Sequence, residues 1–199
     1  MTFRLGLTGS IGMGKSTTAA MFAAQGIPVW DADAAVHRLY APGQPAALAV
    51  AQAFPAAMAA DGSVNRPALR GLIAADPAVL DRLTAAVHPL VAADRASFLA
   101  AHADAPIVLL DIPLLYETGL DRDCDAVAVV SAPPETQRAR VLARGMTEAE
   151  FQLILSRQTP DAEKRARADY IIPTTGLEPA RAAVKDVLAA IKKQIAKDA

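Results

Sequence analysis

Cysteine is nearly missing from this chain: its 199 residues hold one, Cys124. An internal disulfide is therefore excluded, no thiol motif surrounds the residue, and a reducing cytoplasm is the expected compartment. Excess charge is missing too. The 20 lysines and arginines stand against 21 aspartates and glutamates, so the basic surplus behind nonspecific nucleic-acid binding is not there. No uninterrupted apolar run approaches the roughly 20 residues of a membrane-spanning helix. Neither a nucleic acid nor a membrane is expected as a partner. A strand pattern and a glycine-rich loop take up the amino-terminal residues, so a signal peptide is not expected. There is no internal repeat and no low-complexity tail. The hydrophobic content of 53% is ample for a core, although much of it is alanine, and the length fits one domain with inserts.

Against these absences stands "GLTGSIGMGKST", residues 6–17. It contains Gly9-x-x-x-x-Gly14-Lys15-Ser16, the full phosphate-loop pattern. Phosphate oxygens must be wrapped by inward-pointing N–H groups, and a Cβ at the close-approach positions would block them, hence Gly9, Gly12 and Gly14. The loop is expected to open into a helix near Lys15, whose free N–H groups and positive dipole end favour an anion. Lys15 can reach the β- and γ-phosphates as a point charge, and Ser16 can offer its hydroxyl to Mg²⁺. Thr17 adds a hydroxyl on the α-phosphate side. An incidental lysine in a glycine-rich turn would explain the composition. It would not explain the order of apolar strand (3–8), loop, and helix closed by Gly26.

Apolar runs suited to buried parallel strands are 3–8, 27–30, 106–112, 126–130 and 169–173. Helical stretches separate them, so the expected class is α/β: a parallel five-stranded sheet flanked by helices. About seventy-five residues with no strand-like run lie between the second and third strands. Asn65-Arg66-Pro67 and Asp76-Pro77 each put a capping side chain ahead of a first-turn proline. That insert reads as a helical subdomain whose longest helical stretch is interrupted at His88-Pro89. After the fourth strand, 134–145 reads as a helix, and Thr147 to Glu150 is a capping-box pattern opening another. Two short helices joined at Gly145-Met146 make a hinged lid. The tail reads as an amphipathic helix covering the sheet.

Open parallel sheets bind ligands beyond the carboxyl ends of their strands. The second strand ends in Trp30-Asp31-Ala32-Asp33. If it stays extended, the two aspartates share one face, and such a carboxylate can accept a hydroxyl proton or hold Mg²⁺ through water. One of them could be only a helix cap. "IVLLD", ending at Asp111, resembles an apolar strand closed by a Mg²⁺-positioning acid. Ile112-Pro113 follows it where motor-type ATPases carry a water-activating glutamate, and no Asn-Lys-x-Asp base-reading motif occurs anywhere. An organic hydroxyl is the better acceptor than water. Among the lid arginines, Arg140 and Arg144 are one turn apart and share a face. A lid arginine on the transferring phosphoryl group can be worth roughly 10³–10⁵ in rate. Arg138 and Arg157 read as surface.

"LTGSIGMGKST", "VWDAD", "NRPALR", "HPLV", "DIPLLYETGL", "CDAVAVV" and "RARADYII", in that order, resemble the dephospho-coenzyme A kinase family over essentially the whole chain. The resemblance implies a P-loop NTPase fold with a core of 1–32, 103–133 and 166–199. It also implies a helical coenzyme A-binding subdomain at 33–102 and a lid at 134–165. It implies transfer from ATP, with Mg²⁺, to the ribose 3′-hydroxyl of dephospho-coenzyme A; the alternative is another small-molecule or nucleoside-monophosphate kinase of this fold. By motif, Asp33 matches the base and Asp31 its companion. Gly12, Met13, Gly14, Lys15, Ser16 and Thr17 match the ATP cradle, and Arg140 a phosphate-facing arginine. Leu114, Leu115, Tyr116 and Glu117 match a segment lining the acceptor, and Arg66 and His88 match positions touching it. Many relatives carry Asp-Asn after "ADYII", where this chain has Pro173 followed by Thr174 and Thr175, so adenine contacts must come from backbone or threonine. The expected assembly is a monomer or a weak homo-oligomer.

Overall fold

Alternate residues along the strands explain which side chains meet. Phe3, Leu5 and Leu7, Ile107 and Leu109, Ala126, Ala128 and Val130, and Ile172 all enter one buried cluster, the period of two expected for a single sheet face. The intervening residues of the third and fourth strands are buried as well, as in a parallel sheet covered on both sides. In the computed structural model, which describes residues 2–198, the strands are β1 (Phe3–Thr8), β2 (Val29–Asp31), β3 (Ile107–Asp111), β4 (Ala126–Ser131) and β5 (Tyr170–Pro173). They form one parallel sheet in the order β2-β3-β1-β4-β5. The chain leaves β1 toward one edge and later returns to build the other, so β1 lies at the topological switch point, where ligands bind in such sheets.

The chain divides into two compact units, one made of the residues up to Trp30 and from His102 on, the other of Asp31–Ala101. In the first, α1 (Lys15–Ala23) and α9 (Leu177–Asp198) bury Phe22, Val184, Leu188 and Ile191 in the cluster formed by the sheet. The same unit carries α6 (Pro134–Ala143), α7 (Glu148–Leu155) and α8 (Asp161–Arg167). Thr147 and Glu150 close the expected capping box at the start of α7.

The second unit holds α2 (Ala32–Leu39), α3 (Pro45–Ala53), α4 (Arg66–Ala75) and α5 (Ala78–Ala101) around Leu39, Val50, Phe54, Leu69, Leu83 and Val87. Asn65 caps α4 by accepting the Ala68 N–H at 3.0 Å. Two sequence expectations need correcting. Pro89 does not interrupt the long helix, because α5 runs through it over 24 residues. A proline inside a helix removes one hydrogen bond and costs about 3 kcal/mol. Val79, Leu83 and Val87, buried one turn apart before it, and Leu90 and Val91 packed on the same cluster after it, offset that cost. Nor does the second strand stay extended to Asp33, since helix α2 begins at Ala32. The two aspartates therefore do not share a strand face.

Candidate active site

The loop between β1 and α1 is shaped by its surroundings as well as by any ligand. Gly12 and Gly14 hold φ of 76° and 89°, backbone that only glycine adopts without strain. A Cβ on Gly12 would also come within 2.6 Å of Val141 Cγ2 and 3.0 Å of the Gln137 carbonyl oxygen, both on α6. Gly14 is the N-cap of α1, whose first turn carries no acidic residue, so its positive end is left for an anion. The side chains around that end, Ser16 and Thr17, are exposed.

At the root of the loop, Lys15 Nζ lies 2.6 Å from Asp111 Oδ1. Register explains the meeting: Leu7, one residue from the end of β1, is paired with Asp111, the last residue of β3. Asp111 is fully buried, Lys15 half-buried.

Four contacts from distant parts of the chain grip the loop. Gln137 Nε2 donates to the Ile11 carbonyl at 2.7 Å, and the Ile11 N–H donates to Gln158 Oε1 at 3.1 Å. The Ala132 N–H meets Met13 Sδ at 3.1 Å, and Thr174 Oγ1 donates to the Met13 carbonyl at 2.6 Å. The sequence reading missed Gln137 and Gln158. One signal was present for Gln137, an uncharged polar residue four positions before Val141 on the same helix face; Gln137 and Val141 are both buried.

Arg140 donates to the Thr174 carbonyl and, at 3.4 Å, to Thr174 Oγ1. With Arg144, Thr174, Gly14, Thr17 and Met21 it lines a cavity of about 260 Å³ beside the start of α1. Arg138, by contrast, is exposed and pairs with Glu148 at 2.8 Å, and Arg157 is exposed. The structure thus brings Arg140 and Arg144 together at the loop and turns Arg138 outward.

The segment after β3 divides its labour. Leu114 is exposed, whereas Leu115 is fully buried and would touch a Cβ on Gly6 of β1 at 3.0 Å. Tyr116 lies under the Arg167 guanidinium, 4.0 Å from its ring centroid, and burial pushes its phenol up to about 12. Glu117 Oε1 accepts the Thr159 N–H at 2.7 Å and sits 2.8 Å from Nζ of the wholly buried Lys164. Burial works to raise the Glu117 carboxyl, but the Lys164 ammonium and the Thr159 N–H outweigh it and hold it below its ordinary value.

The remaining candidates, Asp31, Asp33, Arg66 and His88, belong to the second unit. Asp31 caps α2, accepting the Ala34 N–H at 2.9 Å. Asp33 is exposed in the first turn of the same helix. Arg66 opens α4, and His88 is exposed along α5. Burial raises the Tyr40 phenol, and the charge of Arg66 opposes that shift.

Comparison with known proteins adds a family. The profile described as dephospho-CoA kinase matches residues 3–178. A dephospho-CoA kinase of Cereibacter sphaeroides is 66% identical over 192 residues, 96% of each chain. One of Ruegeria pomeroyi is 57% identical over 193 residues, covering 96% of this chain and 97% of its own. The crystal structure of a Thermus thermophilus protein, 38% identical, superposes with a TM-score of 0.84 over 95% of this chain and 97% of that one.

Proposed function

This chain belongs to the dephospho-CoA kinase family, and from that premise we infer that it moves the γ-phosphoryl group of ATP to the ribose 3′-hydroxyl of dephospho-coenzyme A. The products are coenzyme A and ADP, the final step of coenzyme A synthesis. The observation that carries the reading is the Lys15–Asp111 contact of 2.6 Å at the mouth of a glycine loop opening into a helix. It holds an ammonium and a helix amino end where a triphosphate is to be neutralised.

In this reading each group has a task. The loop from Gly9 to Thr17, with Met13, wraps the phosphates, and Lys15 draws the transferring group. The proton of the 3′-hydroxyl passes to the Asp33 carboxylate as the oxygen bonds to the γ-phosphorus, while the bond to the ADP oxygen breaks. Asp33 is preferred to Asp31 because Asp31 already serves as a helix cap. Arg140 and Arg144 neutralise the charge spread over the phosphoryl oxygens. Mg²⁺ would supply positive charge against the phosphates. The exposed Ser16 hydroxyl and the Asp111 carboxylate are the hard oxygen donors it prefers. Leu114, Tyr116, Arg66 and His88 are assigned to the acceptor, while the core packing of Leu115 and the ion pair of Glu117 favour supporting roles for those two. Adenine is assigned to the part of the same cavity lined by Thr174, Gly176 and Leu177. A cytoplasmic location is part of the proposal, supported by the solitary Cys124. Among the described residues no helix is long and apolar enough to cross a membrane.

The test is an acceptor panel. Purified protein, ATP and Mg²⁺ are mixed with dephospho-coenzyme A, a nucleoside monophosphate or a sugar acid, and ADP is followed. Release stimulated by dephospho-coenzyme A alone supports the reading, and release stimulated only by another acceptor overturns it.

A further inference from the structure

The stretch joining α7 to α8 makes two long-range contacts with successive residues. Gln158 receives the Ile11 N–H of the phosphate loop at 3.1 Å. Thr159 donates its own N–H to Glu117 at 2.7 Å, and Glu117 is pinned by the buried Lys164 at 2.8 Å. From the other side Gln137 holds the Ile11 carbonyl at 2.7 Å. Both main-chain polar groups of one loop residue are thus held by side-chain amides from outside the loop.

A peptide unit is planar and trans, so its C=O and N–H point in opposite directions. Drawing the Ile11 carbonyl toward Gln137 aims the Gly12 N–H the opposite way. Holding the Ile11 N–H at Gln158 likewise sets the Ser10 carbonyl, which accepts the Met13 N–H at 3.1 Å. The two glutamines fix consecutive peptide planes in a loop whose N–H directions decide how it receives phosphate. Nothing else in the chemistry above gives either residue a task.

We propose that Gln137 and Gln158 are positioning residues that pre-set the peptide planes on either side of Ile11, and that the Glu117–Lys164 pair keeps Gln158 in place through Thr159. One strut then serves the phosphate loop and the segment after β3. The proposal deepens the kinase reading and rests on it for the identity of the bound phosphate.

The experiment exploits the opposite polarity of the two bonds. Gln158 must accept and Gln137 must donate. Methionine matches glutamine in size and offers neither strong function, whereas glutamate can only accept. Binding of a non-hydrolysable ATP analogue is measured for Gln158→Met, Gln158→Glu, Gln137→Met and Gln137→Glu, with thermal midpoints recorded alongside. At 158, methionine should weaken binding about tenfold and glutamate only about threefold, because the Ile11 N–H keeps an acceptor. At 137, glutamate should do at least as much harm as methionine, because two acceptors then face each other. Equal effects of methionine and glutamate at both positions, or changes in thermal midpoint without changes in binding, would overturn the positioning role. For the strut, Gln158→Met is combined with Glu117→Gln. The double variant should lose no more than the worse single variant, and additive losses would sink that part. Analogue binding needs no acceptor, so a wrong acceptor assignment would appear in the transfer assay and leave this pattern intact.

Discussion

Lys15 and Asp111 meet at 2.6 Å although 96 positions separate them in sequence. They come from the first turn of α1 and the last position of β3, and the parallel register of β1 with β3 brings those ends together. The ammonium is thereby held at the loop mouth by a carboxylate that is itself buried.

Lys15→Ala should depress turnover by about 10²–10³, the range for losing one preorganised charge contact. It should also lower stability, since truncating one member of a buried pair costs roughly 3–5 kcal/mol. Combining Lys15→Met with Asp111→Asn should recover much of the thermal midpoint and none of the turnover. A double variant with near-normal turnover would remove Lys15 from the chemistry.

The two aspartates at the start of α2 should separate cleanly. Asp33→Asn should lower turnover by about 10²–10⁴, the range for a general base, while binding of an ATP analogue stays intact. Asp31→Ala should cost about 1 kcal/mol of stability through loss of the helix cap. If Asp33→Asn keeps full turnover, the base has been assigned to the wrong residue.

Arg140→Ala should cut turnover far more than Arg138→Ala, because Arg140 lines the cavity beside α1 and Arg138 pairs with Glu148 at the surface. An exposed pair of that kind is screened by solvent and contributes little to stability. Comparable kinetic effects of the two substitutions would contradict the assignment of lid faces.

Two groups give pH signatures of opposite direction. The folded-state value of Glu117 lies below its ordinary 4.5, so its contribution is complete above that pH and is lost as pH falls through the folded value. The stability gap between the protein and Glu117→Gln should therefore shrink on acidification below about 4.5. Tyr116 is raised from 10.0 to about 12 by burial. The unfolded chain ionises first, so its contribution is present below 10.0 and fades as pH climbs toward about 12. Its hydroxyl is buried with no hydrogen-bond partner, so Tyr116→Phe should keep or raise stability at neutral pH and flatten the alkaline decline. Denaturant midpoints across pH check both, and a large loss in Tyr116→Phe at neutral pH would point to a bond the hydroxyl makes.

Much of the fold was legible because it is written locally. The run "FRLGLT" coincides with β1, Asn65 caps α4, and the Thr147–Glu150 box opens α7. Each rests on residues within a few positions of one another. Pro89 misled because its effect depends on how firmly the flanking turns of α5 are packed, which no local pattern records. The cap role of Asp31 was open in the sequence, but the strand did not stay extended to Asp33, because one residue can both end a strand and cap a helix and the backbone angle at Ala32 decides which follows. The grip of Gln137 and Gln158 on Ile11 spans 126 and 147 positions. Only the folded chain brings such partners together, so the sequence offered a glycine loop without the side chains that brace it.

The most direct test of the central claim follows the phosphorus itself. ATP labelled at the γ-phosphate is incubated with the protein, Mg²⁺ and dephospho-coenzyme A, and the acceptor product is examined by ³¹P NMR and mass spectrometry. The account predicts label in a new monoester on the ribose 3′-oxygen, formed in step with ADP. Label found at another oxygen, or only in inorganic phosphate, would contradict it.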